Sequence, residues 1–238
     1  MKKIVISTGA GISAESGMST YRDAGGLWDK YPVMQVASAD GFEADPALIH
    51  QFYSNLRKKL QNIEPNAAHA ALKDLEKDFD VEVITQNVDD LHERAGSKNV
   101  LHLHGELMQV RSMKHPERVY TLPSSQLTGM PDPLTTTLDT RDNHGDLVRP
   151  NIVFFQEAVP NFEKAVELAQ EADIFVVIGT SLVVYPAASL LNYVKPGVPI
   201  SYIDPNPANV HTTHPLTIIN KKATEEVKDL AKYLEGYK

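Results

Sequence analysis

The sequence predicts an α/β protein, a doubly wound parallel sheet carrying a small inserted lobe. Three observations predict it. Short, nearly continuous apolar runs recur at 3–8, 81–84, 174–178 and 199–203, as strands buried on both faces of a parallel sheet require. Stretches of helical composition lie between them, and strands alternating with helices imply a doubly wound sheet. The first run ends directly in Gly9-Ala10-Gly11, a glycine-rich exit from a strand into a helix.

Taken in order, 3–8 is a β-branched strand and 9–14 its turn. Residues 19–46, rich in Gly, Pro and aromatics, read as a loop with short helices lying over the sheet. A helix over 47–62 shows Leu48, Phe52 and Leu56 on one face, and another over 66–78 carries Ala67, Leu72 and Leu75. Strand 81–84 leads into the polar run 85–92. Strand alternation through Leu101-His102-Leu103-His104 puts the two histidines on one face. Residues 107–149 have no clear periodicity, and Arg141 to Gly145 looks like a turn. A loop that long is not left structureless in a compact domain, so a small separate lobe is predicted there. Helices at 162–171 and 223–235 complete the pattern. The 238 residues thus form one domain, with a core at about 1–20, 62–106 and 150–238. A loop and helical insert occupies about 21–61, and the lobe about 107–149.

Bulk properties exclude several classes. A 42% hydrophobic and 23% charged composition is that of a globular protein rather than a disordered one. Asp plus Glu number 31 against 23 Lys plus Arg, a net charge of −8, which gives no basic face for nucleic acid. No apolar run approaches the roughly 20 residues needed to cross a bilayer. The apolar part of the N-terminus is too short for a signal peptide. With no cysteine, disulfides, thiolate zinc sites and cysteine nucleophiles are excluded, and the expected location is the cytoplasm.

Three motifs carry chemistry. Gly9-Ala10-Gly11-Ile12-Ser13-Ala14 matches the dinucleotide pattern G-x-G-x-x-G/A, giving the predicted sheet a Rossmann-like character. Gly9 would allow the tight turn and Gly11 the approach of a pyrophosphate to a helix N-terminus. A ligand-free glycine turn is the alternative. The acidic residue expected at a ribose is either Asp23 or Asp204, and Asp204 could equally cap the turn before Pro205. Thr85-Gln86-Asn87-Val88-Asp89-Asp90-Leu91-His92 places amides and carboxylates at a strand's carboxyl end, where a cofactor's polar head is met. Asp89 or Asp90 could also be a helix N-cap. In Leu101-His102-Leu103-His104-Gly105, a histidine is suited to taking a proton near neutral pH. Its alternatives are a structural histidine or half of a metal pair.

Together with Glu15-Ser16-Gly17, Tyr21-Arg22, His104-Gly105, Gly179-Thr180-Ser181 and Val183-Val184-Tyr185-Pro186-Ala187-Ala188, these motifs closely resemble the sirtuin family from residue 4 to about 230. The resemblance implies an NAD-dependent protein-lysine deacylase. Gly9, Ala10, Gly11, Ile12, Ser13 and Glu15 would line the NAD phosphates, under a mobile loop holding Tyr21 and Arg22. Gln86, Asn87, Val88 and Asp89 would form the ribose and nicotinamide pocket. Gly179, Thr180 and Ser181 would touch phosphate and ribose, with Ile203, Asp204 and Ala223 near the adenosine. By the same resemblance the acyl-lysine oxygen attacks the ribose carbon that loses nicotinamide. His104 then deprotonates a ribose hydroxyl, and the catalytic set is His104 with Asn87. The products would be lysine, nicotinamide and an O-acyl-ADP-ribose, and the partners acyl-lysine proteins or peptides.

The chain departs from the family in three places. Where most sirtuins hold a structural zinc on four cysteines, the register gives Ser112, His115, Arg141 and His144, so no zinc is predicted. The lobe would instead pack on Val119, Tyr120, Leu122 and Leu147. In Val153-Phe154-Phe155-Gln156-Glu157, expected to be the strand that pairs with substrate, Gln156 replaces the family's glycine. Ala37 and Tyr53 resemble the branch that removes acidic acyl groups such as succinyl, but Leu56 stands at its arginine position. Arg57, the next residue, would either reach the acyl carboxylate or be solvated beside Lys58 and Lys59. An ADP-ribosyltransferase or NAD hydrolase on the same site, and a catalytically dead NAD-binding module, are the rival functions.

Overall fold

The computed structural model describes residues 1–18, 31–226, 230, 234 and 236. In chain order its elements begin with β1 (Lys3–Thr8) and a single helical turn, α1 (Gly11–Ala14). The insert follows as α2 (Val33–Val36), α3 (Ala39–Ala44) and α4 (Pro46–Leu60), then α5 (Ala67–Leu75). Next come β2 (Asp80–Thr85), α6 (Leu91–Arg94), β3 (Val100–His102), β4 (Gly105–Ser112), β5 (Val119–Thr121), β6 (Leu127–Thr128), β7 (Arg141–Asp142) and β8 (Val148–Ile152). The chain continues through α7 (Phe162–Glu171), β9 (Ile174–Ile178), a 3₁₀ helix (Ala187–Tyr193), β10 (Ile200–Ile203) and β11 (Leu216–Ile219). Residues 223–226, 230 and 234 are helical.

Six strands form one all-parallel sheet in the order β11-β10-β9-β1-β2-β3. The first half of the chain builds outward from β1 on one side, and the second half starts again on the other. The strand order therefore reverses between β1 and β9, which is where doubly wound sheets open a ligand crevice. Register sharpens this. Thr8 lies opposite both Thr85 and Ile178, and Ile178 opposite Ile203. The next residues, Gly9, Gln86, Gly179 and Asp204, therefore leave the sheet along one edge.

Both faces of the sheet are covered, which is why its strands read as continuous apolar runs. Ile4, Ile6, Val83 and Val176 pack under Ala68, Leu72, Leu230 and Leu234. Val5, Ile84, Phe175 and Val177 pack under Ala165, Leu168 and Leu190. A third cluster joins the helical insert to the lobe, with Val36, Phe52, Tyr53 and Leu56 meeting Leu107, Ile152 and Phe154. The starts of α3 and α4 are capped by Ser38, which accepts from Gly41 N, and Asp45, which accepts from Leu48 N.

The lobe is all-β. Strands β5, β4 and β8 form an antiparallel sheet, and β6 pairs with β7. Its core is Val110, Tyr120, Leu122, Leu127, Leu134 and Val148. Tyr120 and Leu122 are where the sequence placed them. Val119 and Leu147 are not, being 42% and 36% exposed. Each neighbours a buried residue in a strand, and alternation turns it outward. Around Ser112, His115 and His144 the lobe's turns are closed by hydrogen bonds. Ser112 Oγ accepts from the main chain of Lys114 and His115 at 3.3 and 3.1 Å. Asp142 Oδ1 accepts from that of His144 and Asp146, each at 2.9 Å. Tyr120 Oη donates to Asp142 Oδ2, and Met113 N bonds Leu147 O, drawing the two turns together.

Candidate active site

Two turns meet at the switch point of the sheet. Gly9 N donates to Ile178 O at 3.0 Å and Gly11 N to Gly179 O at 2.8 Å. A Cβ on Gly11 would lie 2.7 Å from Gly179 Cα, too close for any side chain. The expectation that Gly11 stays bare to admit a pyrophosphate is therefore amended, since what approaches it is the main chain of Gly179. Gly179 itself sits at φ +63°, which favours glycine. The turn serves to dock β1's exit onto β9's exit. The sequence suggested Ile12, Ile203 and Ala223 as cofactor contacts. Their side chains are buried in the core beneath this edge, so they can present only main chain to a ligand. Ala10 is half-buried beside Gly9. Glu15 points to the C-terminal segment, accepting from Thr224 Oγ1 and pairing with Lys222 Nζ at 3.6 Å. Tyr21, Arg22 and Asp23 lie outside the described residues.

The Gln86–Asp89 turn is bound to its neighbours by side chains. Gln86 Nε2 donates to Thr180 Oγ1 at 3.2 Å, linking the exits of β2 and β9, with Ser181 half-buried alongside. Asn87, 8% exposed, donates from Nδ2 to Gly9 O at 3.1 Å and Ser13 Oγ at 3.2 Å. Val88 O accepts from Leu107 N. Asp89 is buried and accepts from Leu91 N, a local turn bond rather than a helix cap. Burial pushes its carboxyl up to about 6, against the partial relief of that bond and of the Ser13 hydroxyl. Asp90 is the residue before α6 but makes no capping bond with its side chain. Asp204 caps its own turn, accepting from Asn206 N at 2.8 Å.

Both strand-end histidines face this turn. His102 ends β3, and His104 stands one residue before β4 rather than within a strand. His104 Nδ1 lies 3.0 Å from Gln86 O. A carbonyl can only accept, so Nδ1 carries the proton, and the neutral ring keeps its lone pair on Nε2. Burial holds this histidine below its ordinary value, only partly offset by the Gln86 bond. His102 donates from Nδ1 to Asn87 O at 2.9 Å and from Nε2 to Glu93 Oε1 at 2.8 Å. With both ring nitrogens donating it cannot be a ligand, which removes the paired-histidine metal reading. Among the described residues no cluster of His, Asp or Glu could hold a metal ion.

Sequence reasoning missed what lies behind Ser13. The buried His69 accepts from Asn66 N on Nδ1 and so donates Nε2–H toward Ser13 Oγ at 3.4 Å. Its ring packs edge-on against His92, which shares a hydrogen bond with Thr8 Oγ1 at 3.1 Å. Burial drives both rings down, His69 to about 4 and His92 to about 3, so both are neutral at physiological pH. Asn66 three residues before His69 at a helix start was the available signal.

On the substrate side two expectations change. β8 ends at Ile152, and 153–157 is not a strand. Val153 N donates to His104 O, Phe154 N to Glu157 Oε2, and Phe155 N to Ala37 O. Three successive N–H groups are thus satisfied within the chain. Arg57 is not solvated, and its Nη2 is buried without a hydrogen-bond partner. It is fully buried, donating from Nε to Leu107 O at 2.8 Å and from Nη1 to Leu134 O and Thr136 Oγ1. It ties α4 to the lobe. Tyr53, 3% exposed, packs with Phe52 and Phe154.

The match to known proteins decides the lineage. The Sir2 family model matches residues 9–186. The chain belongs to the Sir2 family. A relative from Bacteroides thetaiotaomicron named NAD-dependent protein deacylase is 50% identical over 234 residues, 98% of both chains. The solved structure of a Sir2 homolog–NAD complex superposes with a TM-score of 0.84 at 37% identity, covering 99% of this chain and 90% of the other. A Sir2 protein bound to an acetylated peptide superposes at 0.78 with 30% identity, over 98% and 93%. In this Sir2 chain the fold expected from sequence, a parallel Rossmann-like α/β sheet, is the fold observed.

Proposed function

We propose that this Sir2 protein is an NAD-dependent protein-lysine deacylase acting on uncharged acyl groups, with His104 as its general base. The observation that carries the reading is the His104–Gln86 bond. It leaves the Nε2 lone pair available on the edge of the sheet where the exits of β1, β2 and β9 converge. The groups gathered there suit NAD. The carboxamides of Gln86 and Asn87, the hydroxyls of Thr180 and Ser181 and the carboxyl of Asp89 are hydrogen-bonding partners for ribose hydroxyls and a nicotinamide carboxamide. When bound, NAD supplies an activated ADP-ribosyl group whose transfer to the acyl oxygen expels nicotinamide. Asn87 and Asp89 would hold the nicotinamide-ribose end, and Gln86 with Thr180 would fix the floor between the two halves of the sheet. His104 would take a proton from a ribose hydroxyl, a contribution of about two to four orders of magnitude in rate. Acyl-lysine peptides are the proposed partners, and the cytoplasm the proposed location. No helix among the described residues is long and apolar enough to cross a membrane.

An uncharged acyl group is favoured because Arg57 spends its Nε and Nη1 on the lobe and its remaining nitrogen, Nη2, is buried away from solvent. Leu56, at the position read as the acidic branch's arginine, is 9% exposed in the apolar cluster with Tyr53 and Phe154. The test is nicotinamide release and mass spectrometry with NAD and a panel of acetyl-, succinyl- and longer-acyl-lysine peptides, with His104→Ala in parallel. Loss of an uncharged acyl group, dependent on His104, is the expected result. Nicotinamide release with every acyl group retained would overturn it in favour of ADP-ribose transfer to another acceptor.

A further inference from the structure

His102 and His104 hold two consecutive carbonyls of the turn between β2 and α6. His104 takes Gln86 O and His102 takes Asn87 O. The two rings differ in what lies beyond. Among the described residues, no hydrogen bond reaches His104 Nε2. His102 is closed on both sides, since its Nε2 donates to Glu93 Oε1 at 2.8 Å on α6. Two acceptors that carry no hydrogen require two ring protons, so the geometry is that of an imidazolium paired with a carboxylate.

Asn87 is also held through its two nitrogens. Its N–H donates to Thr85 Oγ1 at 3.0 Å, and its Nδ2 to Gly9 O and Ser13 Oγ. The carboxamide therefore joins the exit of β2 to the exit of β1, and His102 sets the main chain from which it projects. Asn161 Nδ2 donates in turn to His102 O at 2.8 Å, fixing the end of β3.

We propose that His102, charged through Glu93, is a positioning residue that fixes Asn87 for NAD binding and nicotinamide release, upstream of the step His104 serves. This rests on the deacylase reading for the role of Asn87. The charged and titratable groups facing the ring are Glu93 on α6, Glu106 on β4, and Asp89 and His92 beside the turn. Burial alone would lower the histidine. The hydrogen bond and charge of Glu93, the Asn87 carbonyl and Glu106 overcome it and hold the ring above its ordinary value.

The test measures NAD affinity by calorimetry on the full-length protein, with ¹⁵N NMR of the histidine rings and nicotinamide release. His102→Ala removes the donor to Asn87, and NAD affinity should fall at least about tenfold. His102→Asn puts an amide N–H near the place of Nδ1 and should restore most of that loss. Glu93→Gln keeps an acceptor but removes the charge. The His102 ring should then lose its second proton at a lower pH than in the wild-type protein, read in the ¹⁵N shifts, while NAD affinity holds as long as Nδ1 keeps its hydrogen. A doubly protonated His102 ring in wild type at pH 7 supports the inference. Wild-type affinity in His102→Ala, or equal losses in the Ala and Asn variants in proportion to lowered melting temperature, would overturn it. If wild type binds NAD and His102→Ala weakens it while no acyl group is ever removed, the positioning role stands and the deacylase reading fails.

Discussion

His104 Nδ1 donates to the main-chain oxygen of Gln86 at 3.0 Å, so the histidine is oriented by the same turn that carries the Gln86 and Asn87 amides. A base fixed this way loses its function only when its free nitrogen is protonated. Burial lowers that protonation point below the ordinary histidine value of 6.5. The low-pH limb of the deacylation profile should therefore fall below pH 6.5. His104→Ala should lose about 10²- to 10⁴-fold in deacylation rate. A pH–rate profile of kcat/KM checks both, and an acid limb above pH 7 would count against His104 as the base.

Asp89 opposes folding at neutral pH. It is 3% exposed, and its carboxyl is pushed from 3.8 up to about 6, mainly by burial. The folded protein keeps the proton to about pH 6 while the unfolded chain releases it near 3.8, so folding takes up a proton between them. Stability accordingly falls as pH rises through that window and stays reduced above it. The burden is at most about 3 kcal/mol. Asp89→Asn should raise the melting temperature at pH 7.5 and leave it little changed at pH 4, while weakening NAD binding. Thermal denaturation at the two pH values separates these effects, and equal shifts at both would show that the ionisation is not responsible.

Much of this was legible in the sequence, for a physical reason. Strands buried on both faces must be apolar throughout, so β1, β2, β9 and β10 stood out as runs, and the polar residues that end them marked the edge where the site forms. Alternation put His102 and His104 on one side, facing the same turn, but did not show that one would be bonded at both ring nitrogens and the other at Nδ1 alone. That distinction depends on Glu93, nine residues away from His102 and on another element. The lobe was harder. Its strands are short and half-exposed, and alternation over three residues such as Val119–Thr121 is too brief to tell inside from outside. The burial of Arg57 was not legible because beside Lys58 and Lys59 it looks like part of a solvated face. Only the lobe folding back over α4 buries it.

Arg57 should matter for stability and not for acyl preference. Its removal leaves the buried carbonyls of Leu107 and Leu134 short of a donor. Arg57→Ala should cost about 3 kcal/mol or more. The ratio of deacetylation to desuccinylation should not move. Chemical denaturation gives the first quantity and competing peptides in one reaction give the second. A change in that ratio of more than about tenfold would return Arg57 to the acyl pocket.

Gln156 occupies a backbone conformation at φ +77° that residues with a β-carbon rarely adopt. Holding it there costs on the order of 1 kcal/mol. Its side chain supplies the compensation, donating from Nε2 to Asp40 Oδ2 at 2.7 Å while its Oε1 accepts from Asp40 N at 3.2 Å. That closes the 153–157 turn onto the first turn of α3, beside the pairing of Phe155 with Ala37 and Ala39. Glycine would remove the strain and the clamp together, whereas alanine would keep the strain and lose the clamp. The expected order of stability is therefore Gln156 close to Gln156→Gly, with Gln156→Ala lower than both by about 1–2 kcal/mol. Asp40→Ala should reproduce part of the alanine loss and add little to it in the double variant, because the Nε2 contact has already gone. Denaturant titrations of the wild type and the four variants measure this directly. An alanine variant as stable as wild type would mean that the clamp does not hold the turn.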